Sequence, residues 1–456
     1  MYDVAIIGGG PGGYASALYA HNFGLSVALI EKDEVGGTCL LRGCIPAKSW
    51  LQTAEVYSTV AAAGDFGVVS SPPEVDWSAA LDRKQQVVTG LVRGLSGLLK
   101  ARNVDVIDGY GRVADSGVEV TASDGSVQLV EARNVIIATG SVPRSIPGYD
   151  IDGTRIVTSD QALDWASQPR RVAIIGGGVI GCEFASLLSD MGTKVHVFEA
   201  LDSLLPGTEP EAVKVLERAF KKKKVKVHTS TMVGPAQIDD DGVTVPYGDD
   251  STHVDVVLVS VGRAPVTSDI GLEAAGVETD GGFVLVDPTT MQTNRPGVYA
   301  VGDIVAGTPQ LAHAGFAEGI AAVTHLATGT IAPVDYRAIP LVTYTHPEVA
   351  SVGLTEAAAR EAGLEVEVAD HGMRGVGRAI IQGRTGGVVK IVSEKDGPIV
   401  GATFAGPGAG VLIHELMYVV AWEALPAEAA AFIHAHPTVA EAVGETLLTA
   451  AGKSLH

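Results

Sequence analysis

The chain has 456 residues, 46% hydrophobic and 19% charged, enough to fill a large core and exclude intrinsic disorder; about 150 residues per domain suggests roughly three domains. Against 53 acidic residues stand 32 basic ones, and the formal charge of −21 would repel a nucleic-acid backbone, though not a small anion held by backbone N–H groups at a helix end. Three cysteines do not make a secreted disulfide scaffold, the opening Met1-Tyr2-Asp3-Val4 lacks a signal peptide's basic start, and no apolar run reaches the ~20 residues that cross a bilayer, so a soluble cytoplasmic protein is expected.

In chain order, the first predicted element is a buried strand at residues 4–7. It runs into Gly8-Gly9-Gly10-Pro11-Gly12-Gly13, a helical stretch to Phe23, and a second strand ending in Glu31. Residues 79–102 form an amphipathic helix with Leu81, Val88, Leu91, Leu95 and Leu98 on one face. Residues 104–130, Gly111 among them, read as short strands joined by Gly and Asp turns, and 135–138 as a buried strand leading to Thr139 and Gly140. The opening pattern then returns: a strand at 172–175, Gly176-Gly177-Gly178-Val179-Ile180-Gly181, a helix to Met191 and a strand ending in Glu199. Lys221 to Lys224 read as the solvated end of a helix, their charge complementing its dipole. Residues 254–261 form another buried strand, ending in Gly262-Arg263-Ala264-Pro265. From about Val334 the chain reads as a separate α+β domain, with a strand at 388–392 and a helix at 411–422.

The repeat carries the first chemical argument. In each copy a G-x-G-x-x-G turn (Gly8, Gly10, Gly13; Gly176, Gly178, Gly181) follows a strand, opens a helix, and is closed by an acid 23 residues after its first glycine. That context gives the motif its meaning: a tight turn, close backbone approach to a pyrophosphate, and a helix N-terminus to hold it. Glu31 and Glu199 can accept from ribose hydroxyls and would repel a 2′-phosphate. Two dinucleotides are implied. The fold class is α/β, with two Rossmann-like dinucleotide-binding domains and a C-terminal α+β domain.

Cys39 and Cys44 follow closely on the first copy. Five residues on a regular helix rise about 7.5 Å, and bridged Cα atoms usually lie within about 7 Å, so a Cys39–Cys44 bridge needs an irregular turn, which Gly43 permits. Such a bridge is strained and easily reduced, as a redox couple requires. A place just before a helix would lower a thiolate pKa. Spacing alone leaves metal binding or unpaired packing cysteines as alternatives. Cys182, on the second Gly-rich helix, reads as buried filler.

The two glycine turns and Cys39-Leu40-Leu41-Arg42-Gly43-Cys44-Ile45-Pro46-Ala47-Lys48 make the chain resemble, over nearly its whole length, the FAD-dependent pyridine nucleotide–disulfide oxidoreductases. Ala138-Thr139-Gly140, residues 293–303 ending in Gly302-Asp303, and His434-Ala435-His436-Pro437-Thr438 to Glu441 match three further motifs of that family. The resemblance implies that FAD is held by Gly8, Gly10, Gly13, Glu31, Thr38, Lys48, Gly111, Ala138, Thr139, Gly140, Gly302, Asp303 and Ala312. It implies NAD held by Gly176, Gly178, Val179, Ile180, Gly181, Glu199 and Gly262. It assigns Cys39 to exchange with substrate, Cys44 to the flavin, His436 to the base and Glu441 to its orientation, with His434 behind them. It pairs Lys48 with Glu183 beside the flavin and leaves His313, His346 and His414 structural. It divides the chain into an FAD domain (1–145 and 264–332), an NAD domain (146–263) and a dimerisation domain (333–456), the base reaching the site of the other subunit. The branch of the family that oxidises protein-bound dihydrolipoamide with NAD⁺ fits best, because no arginine follows Glu199 to receive a 2′-phosphate and no cysteine pair stands near the C-terminus. The implied partner is a lipoyl-bearing acyltransferase, or another lipoyl-domain protein of a 2-oxo-acid dehydrogenase complex. The alternative is an NAD(P)H-dependent reductase of another small disulfide. Two departures stand out, Leu41-Arg42 between the cysteines and Ala314-Gly315 where a Lys is frequent; neither removes a reacting group.

Overall fold

The computed structural model describes residues 1–455, which divide into two units. The first comprises residues 1–49, 78–144 and 262–336. Its centre is a parallel sheet in the order Val104–Asp108, Val27–Glu31, Tyr2–Ile7, Val127–Ile137, Val298–Ala300. Val4, Ala5, Ile6, Ala28 and Leu29 are fully buried, the continuous apolar runs expected of strands covered on both faces. The short strands expected within 104–130 are present, and the last of them runs on into the one expected at 135–138: Val127–Ile137 is one strand. Its first half pairs antiparallel with Gly117–Thr121 and its second half parallel with Tyr2–Ile7. Helices Pro11–Ala20 and Ala312–Thr328 pack so closely that a Cβ on Gly319 would lie 2.6 Å from Ser16 Oγ.

Helix Trp77–Ala101 lies almost wholly in this unit, and its buried stripe differs from the expected one. Val88, Leu95 and Leu99 are buried, whereas Leu91 and Leu98 are each 44% exposed. The apolar pairs Leu91-Val92 and Leu98-Leu99 offer two overlapping stripes, and the helix turns the second member of each inward, Leu99 buried and Val92 half-buried.

The second unit comprises residues 50–77, 145–261 and 337–455. It holds a parallel sheet in the order Lys226–His228, Lys194–Phe198, Arg171–Ile175, Val256–Val259, Ile156–Val157. About each first glycine turn the strand order is the same, with the fifth strand supplied from a different part of the chain. The strand expected at 254–261 is divided. Asp250–Val254 joins Gln237–Asp239 and Gly242–Tyr247 in an antiparallel sheet, and only Val256–Val259 enters the parallel one. Asp255 makes the break: its carboxylate accepts from the N–H groups of Arg170 and Arg171 and the guanidinium of Arg171, which hold its pKa low against burial. The lysine run is not wholly solvated either. Lys223 turns inward to Asp190 at 2.7 Å and donates to the carbonyl of His346 at 3.0 Å.

The C-terminal part of this unit is an antiparallel sheet, Leu341–Thr343, Glu348–Gly353, Ile399–Gly406, Val388–Glu394, Val366–Gly372, packed against helices Ala409–Ala421 and Glu441–Ala450. Among the described residues no helix is long and apolar enough to cross a membrane.

Candidate active site

Backbone contact dictates both glycine turns. Gly8 has φ +104° and Gly176 φ +105°; a Cβ would fall 2.3 Å from the carbonyl oxygen of Ala138 in one and 2.4 Å from that of Ser260 in the other. The third glycines admit no side chain at all: Gly13 would place a Cβ 1.8 Å from the carbonyl oxygen of Gly8, and Gly181 one 2.0 Å from that of Gly176. Gly10 and Gly178 cap helices Pro11–Ala20 and Val179–Asp190 without a side-chain cap, and nothing lies within 4 Å of the missing Cβ of Gly178. These helix starts are open to an anion. Val179 and Ile180 form the first turn of the second helix.

The closing acids do more than was expected of them. Glu31 accepts from the N–H of Gly9 at 2.6 Å and of Asp33 at 3.0 Å. Glu199 accepts from Gly177 at 2.7 Å and Leu201 at 2.8 Å. Each acid ties its glycine turn to the end of the second strand.

The cysteines meet because a helix breaks between them. Helix Gly37–Arg42 stops at Gly43, where a Cβ would lie 2.8 Å from the carbonyl oxygen of Thr38, and helix Cys44–Ala61 starts afresh. The irregular turn is therefore present, and the Cys39 thiol donates a hydrogen bond to Cys44. That bond and burial push the Cys39 thiol well up, with the Lys48 ammonium pulling the other way. The expected lowering is thus reversed at Cys39: the hydrogen bond to its neighbouring sulfur holds its proton. Cys44 is exposed, and Cys182 is buried with its thiol raised by desolvation.

Around this pair the first unit gathers most residues expected to hold FAD. Thr38 accepts from Arg263 at 3.4 Å; Arg263 also donates to the hydroxyl and carbonyl of Ser141, each at 2.7 Å, and Ser141 donates to Asp303 at 2.5 Å. Ala138, Thr139 and Gly140 follow the C-terminal end of one parallel strand, and Gly302 and Asp303 that of another. Gly140 (φ +71°) and Gly302 (φ +80°) have nothing within 4 Å of a Cβ. Ala312 opens helix Ala312–Thr328, whose fully buried Ala314 and nearby Gly315 stand where the family often has Lys; a Cβ on Gly315 would approach Gly12 and Gly302 at 3.4 Å. Gly111 is set by packing, its Cβ direction filled by Ile7, Ile30 and Val118. An uncapped helix start, open glycines at strand ends and a carboxylate acceptor fit a dinucleotide. The Arg263–Ser141–Asp303 chain has no signal in the sequence, since its members stand 122 and 162 positions apart.

In the second unit Glu183 is 4% exposed and accepts from the N–H of Tyr344 at 3.0 Å. His436 Nδ1 lies 2.7 Å from Glu441, whose other oxygen accepts from the N–H of Thr438 at 2.8 Å; both bonds hold the Glu441 pKa down. The imidazole is 77% exposed. His434 meets Glu415 at 2.6 Å, which raises the imidazole pKa; Glu415 was not foreseen. His346 pairs with Asp190 at 2.9 Å and His414 with the carbonyl of Val411. Gly262, in the first unit, has φ +104° and accepts from the N–H of Arg144.

Residues 2–319 match the pyridine nucleotide-disulphide oxidoreductase family and residues 339–447 its dimerisation domain. The chain belongs to that family. It is 39% identical to the dihydrolipoyl dehydrogenase of Bacillus subtilis (strain 168), covering 100% of this chain and 99% of the relative. It is equally 39% identical to the mitochondrial dihydrolipoyl dehydrogenase 1 of Arabidopsis thaliana, covering 100% and 91%. Among solved structures, LpdA of Mycobacterium tuberculosis matches with a TM-score of 0.91 at 27% identity, over 98% of this chain and 99% of that one.

Proposed function

We propose that the protein is a dihydrolipoyl dehydrogenase, which oxidises protein-bound dihydrolipoamide and reduces NAD⁺ to NADH. The observation that carries it is the sulfur couple: Cys39 hydrogen-bonded to Cys44 beside a dinucleotide cradle that also contains Asp303. Full-length likeness to dihydrolipoyl dehydrogenases sets the substrate. The residues named above in the first unit would hold FAD, which would supply the two-electron relay between the dithiol and NAD⁺.

The chain's own groups perform the exchange. A substrate thiolate attacks Cys39 of the oxidised pair; the Cys39–Cys44 bond breaks, a mixed disulfide forms, and Cys44 leaves as a thiolate. The second substrate thiol attacks the sulfur of its partner, closing the substrate disulfide and releasing Cys39. The substrate gives up two electrons and two protons: the pair gains the electrons, Cys39 keeps one proton as the thiol that donates to Cys44, and the other passes to the base. His436 takes a substrate proton, and Glu441 fixes the tautomer and balances the imidazolium. Lys48, one helical turn after Cys44, favours thiolate at the pair. Glu199 selects NAD over its 2′-phosphate analogue.

The four-part division is the reading offered for the whole chain: FAD on 1–145 and 264–332, NAD on 146–263, and assembly through 333–456. The protein works as a homodimer, with His436 serving the neighbouring subunit. Its exposure is one support, and the exposed apolar residues of the same C-terminal segment are another: Ile433 at 97%, Phe432 and Trp422 at 77%, Val411 at 76%. The partner delivering the substrate is a lipoyl-bearing protein of a 2-oxo-acid dehydrogenase complex. Steady-state rates with dihydrolipoamide and NAD⁺, set against other dithiols and, in reverse, other disulfides with NADH or NADPH, test the assignment. Lipoamide should lead; another small disulfide turning over about a thousandfold faster would replace it.

A further inference from the structure

Glu318 is a carboxyl group with no part in the chemistry above, and it is fully buried in helix Ala312–Thr328. One of its oxygens accepts from the N–H of Gly302 at 2.5 Å, and the other from the hydroxyl of Tyr336 at 3.0 Å. The Thr308 hydroxyl bonds it as well, and the Asp303 carboxylate is close enough to repel it. Burying an acid next to another acid is costly, and a neutral apolar residue would pack that helix position at less expense. What the carboxyl supplies is an acceptor for one particular N–H. Gly302 sits at φ +80° immediately before Asp303, and its N–H is the group that a loop in this conformation leaves without a strand partner.

Two restraints therefore converge on Asp303. From one side Ser141, itself held by Arg263, takes its side-chain oxygen; from the other, Glu318 takes the backbone just ahead of it. We propose that Glu318 is a positioning residue for the flavin: it clamps the Gly302–Asp303 turn from behind, so that the Asp303 carboxylate is set before the cofactor arrives. This deepens the reading that Asp303 serves FAD and rests on it. The benefit is preorganisation, an ordering cost met in folding instead of in binding.

The experiment is reconstitution of the full-length apoprotein with FAD, followed by flavin fluorescence, with thermal unfolding of each apoprotein alongside. Glu318→Leu leaves the Gly302 N–H buried without an acceptor and should weaken FAD binding about tenfold or more. Glu318→Gln keeps an oxygen for Gly302 and can donate to Tyr336, so affinity should return to within about threefold of the parent. Tyr336→Phe breaks only the outer bond and should also stay within about threefold. Should the Leu variant not fold, Glu318→Ala replaces it with the same loss expected, because a mobile water can meet the Gly302 N–H without fixing the turn. A purely structural role would lower unfolding temperature while leaving flavin affinity untouched; that result, or a Gln variant as weak as the Leu one, overturns the proposal. If the parent apoprotein itself takes up no FAD, the reading of the site fails, and the clamp with it.

Discussion

A histidine bonded through Nδ1 to a carboxylate presents Nε2 as its free basic nitrogen, in one tautomer, ready for a proton. His436 has the geometry for this, its Nδ1 lying 2.7 Å from Glu441. Replacement by Gln should reduce dihydrolipoamide oxidation by about 10²–10⁴-fold, the usual worth of a positioned base. Reduction of a small dye by NADH needs no thiol exchange and should persist near the parent rate. Equal losses in both assays would remove His436 from proton transfer. Glu199 carries a second residue-scale prediction, because it holds the second glycine turn in addition to its proposed role at the ribose. Glu199→Ala combined with Ala200→Arg removes the acid's repulsion and adds a cation, so kcat/KM for NADP should rise relative to NAD. It also releases the N–H groups of Gly177 and Leu201, so the NAD value should fall about tenfold or more instead of staying level. An unchanged NAD/NADP ratio would count against the ribose role.

The glycine turns were legible in the sequence because their demands are local: a backbone carbonyl under 2.5 Å from each forbidden Cβ forces the residue type at a fixed spacing. The cysteine turn was legible for the same reason, Gly43 against Thr38. What sequence could not supply were the partners of polar side chains: Arg263 on Ser141, Glu415 on His434, Glu318 on Gly302. A polar residue's partner leaves no periodic trace when it is more than a hundred positions away, and even nearby partners such as Gly302 and Glu318 carry no spacing rule. The helix stripe misled where two apolar residues adjoin. Two element-scale predictions follow from the same geometry. Gly13→Ala must drive the first helix off its strand and should abolish FAD retention, whereas Gly181→Ala should leave the flavin bound and weaken NAD. Flavin loss in the Gly181 variant alone would reverse the assignment of the two turns. In helix Trp77–Ala101, by contrast, Gly90, Gly94 and Gly97 are exposed with open space at each Cβ. Each change to Ala should stabilise the protein by about 0.5–1 kcal/mol, seen as a higher urea midpoint.

At the scale of the whole molecule, two histidines stacked on Phe198 and on each other, His228 also packed against Tyr247, make stability depend on pH. Burial lowers His196 to about 4 and lowers His228 as well, with Lys226 opposing a proton on either. In the unfolded chain both titrate near 6.5. Below that value the unfolded state binds more protons, so their contribution is complete above about pH 6.5 and is lost as pH falls towards 4. His196→Gln should flatten the fall in urea midpoint between those values. Assembly bears on activity more directly. His436 is 77% exposed, beside Phe432 and Ile433 at 77% and 97%; on the proposed reading a second copy covers that apolar surface and receives His436 as its base. Phe432→Asp with Ile433→Asp puts four like charges across a twofold interface, two from each copy. It should yield monomers by size-exclusion chromatography. Those monomers should keep bound flavin and dye reduction by NADH, yet lose lipoamide oxidation by about 10²-fold or more. The parent protein, diluted until it dissociates, should show the same split, because mass action removes the partner without changing the chain. A monomer oxidising dihydrolipoamide at the full rate would place the base within its own subunit, and assembly would then serve stability alone.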